Sequence, residues 1–281
     1  VGGNTTASYP DRALRLVPRP VPRLVSRSGG TVVGELSGPV GPAPWVQLFT
    51  AGLDSLCVWY LMGGPTPVFV RLQAPYEMAA MESIELLRQR IPSFHPVIVP
   101  GPPIGENVDE DAGYVPHRNL ALLVAAAAWL RPQVIFTGSV LGDPGPDRSR
   151  RFDRATTRAL SVGEGAPIRV IAPARRWTKS GLLRRTLAMY PEVADLLPLT
   201  RSCYLPVGPP CTECPGCFRR AVAEYHSGLR GERPKLPAEI GVGATGWTEA
   251  RTVGLHRWPG LALDGAVAGL ALAGLRLRRA P

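Results

Sequence analysis

Four of the chain's five cysteines, Cys203, Cys211, Cys214 and Cys217, fall within fifteen residues in the spacing C-x7-C-x2-C-x2-C. A C-x2-C step lets one tight turn present two sulfurs to one metal, and here two such steps follow in succession. Pro206, Pro209, Pro210, Pro215 and Gly216 supply rigid turns around the sulfurs. Four thiolates fill a tetrahedral coordination sphere, so the expectation is a closed, structural zinc site and not a catalytic one. Two disulfides, or free thiols that happen to cluster, are the alternatives. The segment therefore says what staples the fold, and the chemistry must be sought elsewhere in the chain.

Choosing between metal and disulfide needs the compartment. The first forty residues are broken by Pro, Arg and Gly without an apolar h-region, and the run Leu120–Leu130 is too short to span a bilayer. A cytoplasmic, reduced setting with no membrane association is the expectation, and it favours metal. The 281 residues carry 32 Lys+Arg against 22 Asp+Glu, a net charge of +10, and only Lys179 and Lys235 are lysines. So much arginine suits phosphate-bearing partners, but it also suits a GC-rich genome, and charge alone decides nothing.

Along the chain, short apolar runs alternate with helical stretches. Residues 1–44 are Pro-rich and read as an N-terminal extension, with strands possible at Leu14–Val17 and Thr31–Leu36 around a turn at Ser28-Gly29-Gly30. Trp45–Phe49 reads as a strand, then the turn Thr50-Ala51-Gly52-Leu53-Asp54-Ser55, then a helix from Leu56 to Met62. A strand, a turn of small residues and a helix N-terminus together offer backbone N–H groups to a phosphate, although the turn lacks a G-K-[ST] ending. Further strands are expected at Pro67–Arg71, Val97–Val99, Val134–Gly138 and Ile168–Ile171. Helices are expected at Met78–Arg90, Leu120–Leu130, Arg148–Leu160, Ser180–Met189 and Phe218–Leu229. This alternation predicts an α/β fold, a Rossmann-like parallel sheet with helices on both faces, with ligands at the carboxyl ends of the strands. The Thr50–Ser55 turn and the Gly138–Asp143 loop should meet there, joined by Arg118. The domain is expected over 45–230 with the cysteine segment at 203–217, and 231–281 is a C-terminal extension with an apolar helix at Leu261–Leu277.

These residues add up to a known pattern. From about 45 to 227 the chain resembles the 7-cyano-7-deazaguanine synthase (QueC-like) family of PP-loop ATP pyrophosphatases. The family's S-G-G-x-D-S loop is similar to Thr50–Ser55, and its V-P-x-R-N motif to Val115-Pro-His-Arg-Asn119. Its strand ending in glycine before an acidic loop is similar to Phe136–Gly138 and on to Asp143. P-D-x-R-x-x-F resembles Pro146–Phe152 with the arginine displaced by one, and P…T-K resembles Pro173 with Thr178-Lys179. S-C-Y…C-x2-C-x2-C-x-x-R resembles Ser202 through Arg220.

The resemblance implies Mg-ATP-dependent adenylation of the carboxyl group of 7-carboxy-7-deazaguanine, then amidation by ammonia and dehydration to the nitrile. It assigns Asp54, Ser55, Arg118 and Lys179 to catalysis. ATP would be held by Leu48-Phe49-Thr50-Ala51-Gly52-Leu53-Asp54-Ser55-Leu56-Cys57-Val58 with Gly138 and Asp143, and Mg2+ by Asp143 or Asp147. Homodimerisation is the family expectation. Each assignment has a plainer counterpart: Asp54 as a helix cap, Arg118 in a structural ion pair, Lys179 on the surface, Asp143 and Asp147 in turn geometry, Cys57 as a buried apolar residue. His95 and His117 have no evident chemical partner. The cysteine segment is expected to form one wall of the nucleobase pocket.

Three departures from the family qualify this. Ala51 replaces a loop glycine, where a β-carbon demands an ordinary backbone angle or costs strain. Arg71-Leu-Gln-Ala-Pro-Tyr-Glu77 stands where the family has D-Y-G-Q-R-H, with Gln73 and Glu82 as partial substitutes. Both extensions are additional. The departures admit a ligase that passes the activated carboxylate to a protein N-terminus or another amine, as in antiphage systems. A non-catalytic ATP- or RNA-binding module is the reading from a different class.

Overall fold

The computed structural model describes residues 43–103, 115–141, 143, 146–203, 208–212 and 214–232. The expected N-terminal hairpin, the Leu261–Leu277 helix, Tyr204, and all but the inner ends of the two extensions lie outside the described residues. Five strands form one sheet: β1 Trp45–Leu48, β2 Thr66–Arg71, β3 Val97–Pro100, β4 Val134–Phe136 and β5 Arg169–Ile171. Its order is β3-β2-β1-β4-β5, and every pairing is parallel. After β3 the chain crosses back to the far side of β1, which puts the topological switch point between β1 and β4.

Alternation along each strand builds two cores. Val46, Leu48, Val68, Val70, Val97, Val99, Ile135 and Val170 face one side. They meet Leu122, Leu123, Ala126 and Leu130 of helix α3 (Arg118–Leu130), with Phe152 and Leu160 of α4 (Arg150–Glu164) at the margin. Phe49 and Phe69 face the other side, against Leu53, Leu56, Cys57, Val58, Trp59 and Tyr60 of α1 (Leu53–Leu61). That second core also takes in Ile84 and Leu87 of α2 (Glu77–Arg90) and Leu182 and Leu183 of α5 (Lys179–Met189). Parallel strands buried on both faces explain why the runs read as nearly continuous apolar stretches.

The chain then passes through a short α6 (Val193–Leu196) and a 3-10 turn, Leu197–Leu199, neither of which its periodicity reveals, to α7 (Pro215–His226). Two boundaries differ from expectation in a way that matters. Helix α1 opens at Leu53, not Leu56, so Asp54 and Ser55 lie in its first turn, and α3 opens at Arg118, not Leu120. Pro146–Arg148 is a separate 3-10 turn, and α4 itself starts at Arg150, capped by the Ser149 hydroxyl accepting from the Phe152 N–H at 3.1 Å. Among the described residues no helix is long and apolar enough to cross a membrane.

Candidate functional site

Thr50, Ala51 and Gly52 carry the chain from β1 into α1. The first turn of a helix leaves its N–H groups without carbonyl partners. Here those groups belong to Leu53, Asp54 and Ser55, because the Leu56 N–H is the first to bond back, to the Gly52 carbonyl at 3.1 Å. The Ser55 hydroxyl lies 3.0 Å from that of Thr50 and accepts from the Thr50 N–H at 3.2 Å. Buried Gln47 anchors the arrangement from below by donating to the Ser55 carbonyl at 2.7 Å. A β-carbon on Gly138 would lie 3.6 Å from the Ser55 nitrogen, so the ends of β1 and β4 meet as their positions at the switch point require.

Ala51 sits at φ 58, the left-handed region. The family's glycine would be at ease there, whereas alanine carries strain of roughly 1 kcal/mol. The strain is held in place from outside: Ala51 is fully buried, and its carbonyl accepts from the Arg201 N–H at 2.9 Å.

Of the four catalytic candidates, two meet. Lys179, 7% exposed at the start of α5, pairs through Nζ with Asp54 Oδ2. Asp54 is thus not the helix cap, a position that Gly52 occupies. Its other oxygen, Oδ1, is buried without a hydrogen-bond partner, as are Asp147 Oδ1 and Thr137 Oγ1. Thr137 and Asp147 line one cleft with Thr50, Ser55, Gly138 and Ser139. Burial pushes the Asp147 carboxyl above its ordinary value, against the opposing pull of Arg148 and Arg118. A buried carboxylate oxygen and a hydroxyl with unused bonding capacity beside free helix-start amides suit a phosphate and a hard cation together.

Asp143, assigned to the same site, is spent elsewhere. Its side chain is 2% exposed and holds Arg148 at 2.7 Å and Arg219 at 2.9 Å, while the Val140 N–H donates to it at 3.0 Å. Burial alone would raise its pKa, but Arg148, Arg219 and Lys179 overcome that and hold the carboxyl far below its usual range. Two guanidinium groups leave it no room as a magnesium ligand, and Asp147 takes over as the acidic candidate. Leu53, Leu56, Cys57 and Val58 likewise turn their side chains into the core. Any part that Leu53 plays at the cleft is through its backbone. Burial lifts the Cys57 thiol to about 12, so it is inert.

Arg118 lies on the other side of β1. It donates to the Tyr76 hydroxyl at 3.3 Å and lines a second, apolar cleft with Leu48, Phe49, Thr50, Val70 and Leu72. The two clefts share Leu48, Thr50 and Leu122, so they form one trough across the carboxyl ends of β2, β1 and β4. The divergent segment shapes its far end. Glu77 accepts from Arg71 Nε and from the Gln73 N–H, both at 2.8 Å, and Gln73 is left-handed at φ 56. Glu82, His95 and His117 are exposed.

The sulfurs of Cys203, Cys211, Cys214 and Cys217 all lie within 4.8 Å of one another. Separations of 3.5 Å (Cys203–Cys211) and 3.9 Å (Cys211–Cys217) are too long for disulfides and match the ~3.8 Å edge of a tetrahedron with ~2.3 Å metal–sulfur bonds. The N–H groups of Cys211, Cys214 and Cys217 donate to the sulfurs of Cys203, Cys211 and Cys214 at 3.4, 3.3 and 3.4 Å. Such bonds stabilise thiolate, so the donor set fits one metal ion. Among the described residues the cysteine segment does not wall the apolar cleft, as had been expected. Instead it backs the Thr50–Gly52 turn through Arg201, whose N–H donates to the Ala51 carbonyl. Arg220 on α7 reinforces this by donating to the carbonyls of Leu197 and Thr200 and to the Thr200 hydroxyl at 2.6–3.0 Å.

Residues 104–227 match the family model described as Queuosine biosynthesis protein QueC. The chain carries a QueC-like domain. Proteins similar to it include the 7-cyano-7-deazaguanine synthases of Anaeromyxobacter sp. (strain Fw109-5), 35% identical over 127 residues, and of Laribacter hongkongensis, 32% over 123. That of Methanosarcina barkeri is 30% identical over 125 residues. Each alignment covers 41–42% of this chain and 52–53% of the relative, so the chain spans about half the length of the curated relatives it matches. The matched span of the QueC-like domain contains Arg118, Gly138, Asp147, Lys179 and the four cysteines. The Thr50–Ser55 turn lies before it, and its geometry is what ties it to the same trough.

Proposed function

We propose that this chain is an ATP-dependent enzyme that activates the carboxyl group of 7-carboxy-7-deazaguanine, on the way to the 7-cyano-7-deazaguanine that its relatives are named for making. The observation that carries the reading is the convergence at the β1–β4 switch point. The Thr50 and Ser55 hydroxyls and the unpartnered Asp147 oxygen border one end of a single trough, and the Lys179–Asp54 pair sits next to Ser55 in the first turn of α1, where a β-carbon on Gly138 would lie 3.7 Å from that of Asp54.

In this reading the nucleotide base takes the apolar cleft and the phosphates take the loop. The substrate carboxylate attacks Pα, the bond from Pα to the bridging oxygen breaks, and pyrophosphate leaves. The helix-start amides and Lys179 accept the negative charge that builds on the departing group. Asp54 keeps Lys179 aimed at the loop. Mg2+, for which Asp147 is the candidate carboxylate, would neutralise phosphate charge. Ammonia then displaces AMP to give the amide, and a second activation removes the amide oxygen to leave the nitrile. The four-cysteine element would hold zinc, which matches the soft thiolate donors.

One observation favours a second reading in which synthesis stops at an amide to a larger amine. The Arg71–Glu77 pair and the left-handed Gln73 occupy the segment where the family pattern places its aspartate and histidine. Incubation with Mg-ATP and 7-carboxy-7-deazaguanine, with pyrophosphate as the readout, tests both. Release is expected, and ATP binding without release would leave only a nucleotide-binding module. Mass spectrometry of the product with and without ammonium separates nitrile from amide.

A further inference from the structure

Helix α4 is unusual for a surface helix. Only Thr156 is buried, while Arg150, Arg151, Arg154 and Arg158 are all exposed. At 3.6 residues per turn the four project within about 100° of arc, and the 150, 154 and 158 row is spaced by about 6 Å per step. Like charges at i,i+4 oppose helix formation, and surface helices ordinarily interleave acids to offset them. Here the helix's own acids are engaged elsewhere: Asp153 with Arg175 at 2.6 Å and Glu164 with Arg131 at 3.1 Å. None of the four exposed arginines has a carboxylate at ion-pair distance among the described residues.

Further arginines lie on neighbouring elements. The Asp153–Arg175 bond ties α4 to the turn after β5, which carries exposed Arg176 and half-buried Trp177. Arg185 of α5 lies over the Trp177 ring at 4.9 Å, an interaction that fixes the guanidinium plane and leaves its edge donors outward. The Trp177 carbonyl in turn accepts from the Leu141 N–H at 2.8 Å, beside the Gly138 loop. At the other end, Arg148, Phe152 and Asp153 line the phosphate-side cleft. The α4 row thus forms a band of guanidinium groups that begins two residues after Arg148, at the mouth of the site.

We propose that this band is a docking surface for a nucleic-acid strand, whose phosphodiester backbone it grips beside the catalytic trough. Regularly spaced, unpaired arginines match a repeating line of single negative charges, and such contacts hold a strand without reading its sequence. A lone anionic metabolite needs a pocket, not a ridge some 12 Å long (eight residues at 1.5 Å). The proposal stands independently of the reaction above, since binding can be measured without substrate or ATP.

The test uses the full chain and a fluorescein-labelled 20-nucleotide single-stranded RNA of mixed sequence, with a DNA strand of the same sequence in parallel. Anisotropy is read from 50 to 300 mM KCl. The triple variant R151A/R154A/R158A should weaken binding roughly 30-fold or more near 100 mM salt and lower the salt slope by about 2. A charge-matched control, R88A/R90A/R230A, should bind like the parent, which removes the contribution of the arginine-rich extensions from the comparison. Equal melting temperatures show that both variants fold, and unchanged pyrophosphate release keeps this test separate from the catalytic one. Tighter binding of RNA or of DNA names the source of the strand. The proposal is overturned if the parent binds neither strand at 50 mM KCl, or if the α4 and control variants weaken binding equally. It is also overturned if poly-glutamate of equal charge competes as well as RNA, which would make the ridge a face for acidic protein.

Discussion

At the scale of single residues, three side chains set the behaviour of the site. Ala51 holds a left-handed conformation that a glycine would hold freely. Ala51→Gly removes strain of roughly 1 kcal/mol while adding unfolded-state entropy of similar size, so thermal melting should show a small gain or no change. Ala51→Val should lose stability outright. Lys179→Met, by contrast, is a test of chemistry: pyrophosphate release should fall roughly 100-fold or more, while ATP binding by calorimetry changes less. Asp143 gives a pH signature. Its folded pKa is depressed, so its contribution is complete above the unfolded value near ~3.9 and fades as the pH falls below it. Asp143→Asn should therefore cost roughly 3 kcal/mol in urea unfolding at pH 7, and the difference from the parent should shrink below about pH 4. The sequence placed Lys179 and Asp54 in one site but not in contact. Nothing local in Gly-Asp-Pro marks Asp143 as a holder of Arg219, which comes from a helix 76 residues later in the chain.

Among elements, the C-terminal third acts as a brace. Cys214 caps α7 and Cys217 lies in its first turn, and Arg220 one turn later ties that helix to the Leu197–Thr200 turn. Arg220→Ala removes charge-assisted bonds to two carbonyls and should cost about 2–3 kcal/mol. It should weaken ATP binding as well, because the turn it holds leads to Arg201 and the phosphate-side loop. Metal analysis should find one zinc per chain. Stripping it with a strong chelator should lower the melting temperature and the ATP affinity together, and loss of zinc with both unchanged would show that the brace stands without metal. The C-x2-C steps made the four-sulfur cluster legible from spacing alone. What the brace leans on was not legible, since backbone hydrogen bonds such as Arg201 to Ala51 leave no trace in residue type.

For the whole molecule, the parallel sheet could be read because its inner strands are buried on both faces and α1, α2 and α3 turn apolar residues to the sheet. The strand order follows from the crossover after β3, and the loop after β1 was legible as a phosphate candidate from its strand, small-residue turn and helix start. The α4 ridge escaped notice because arginine is abundant throughout the chain, and only its three-dimensional exposure separates Arg151, Arg154 and Arg158 from the paired Arg148 and Arg175.

The hydrogen bond between Ala51 and Arg201 joins residues 150 positions apart, so it bears on the order of assembly during synthesis. A nascent chain that has emerged only as far as α5 holds all five strands and the whole β1 turn, yet lacks the partner that keeps Ala51 in its strained form. Competence to bind nucleotide should arrive late, as a single step, when the cysteine segment clears the ribosome and closes.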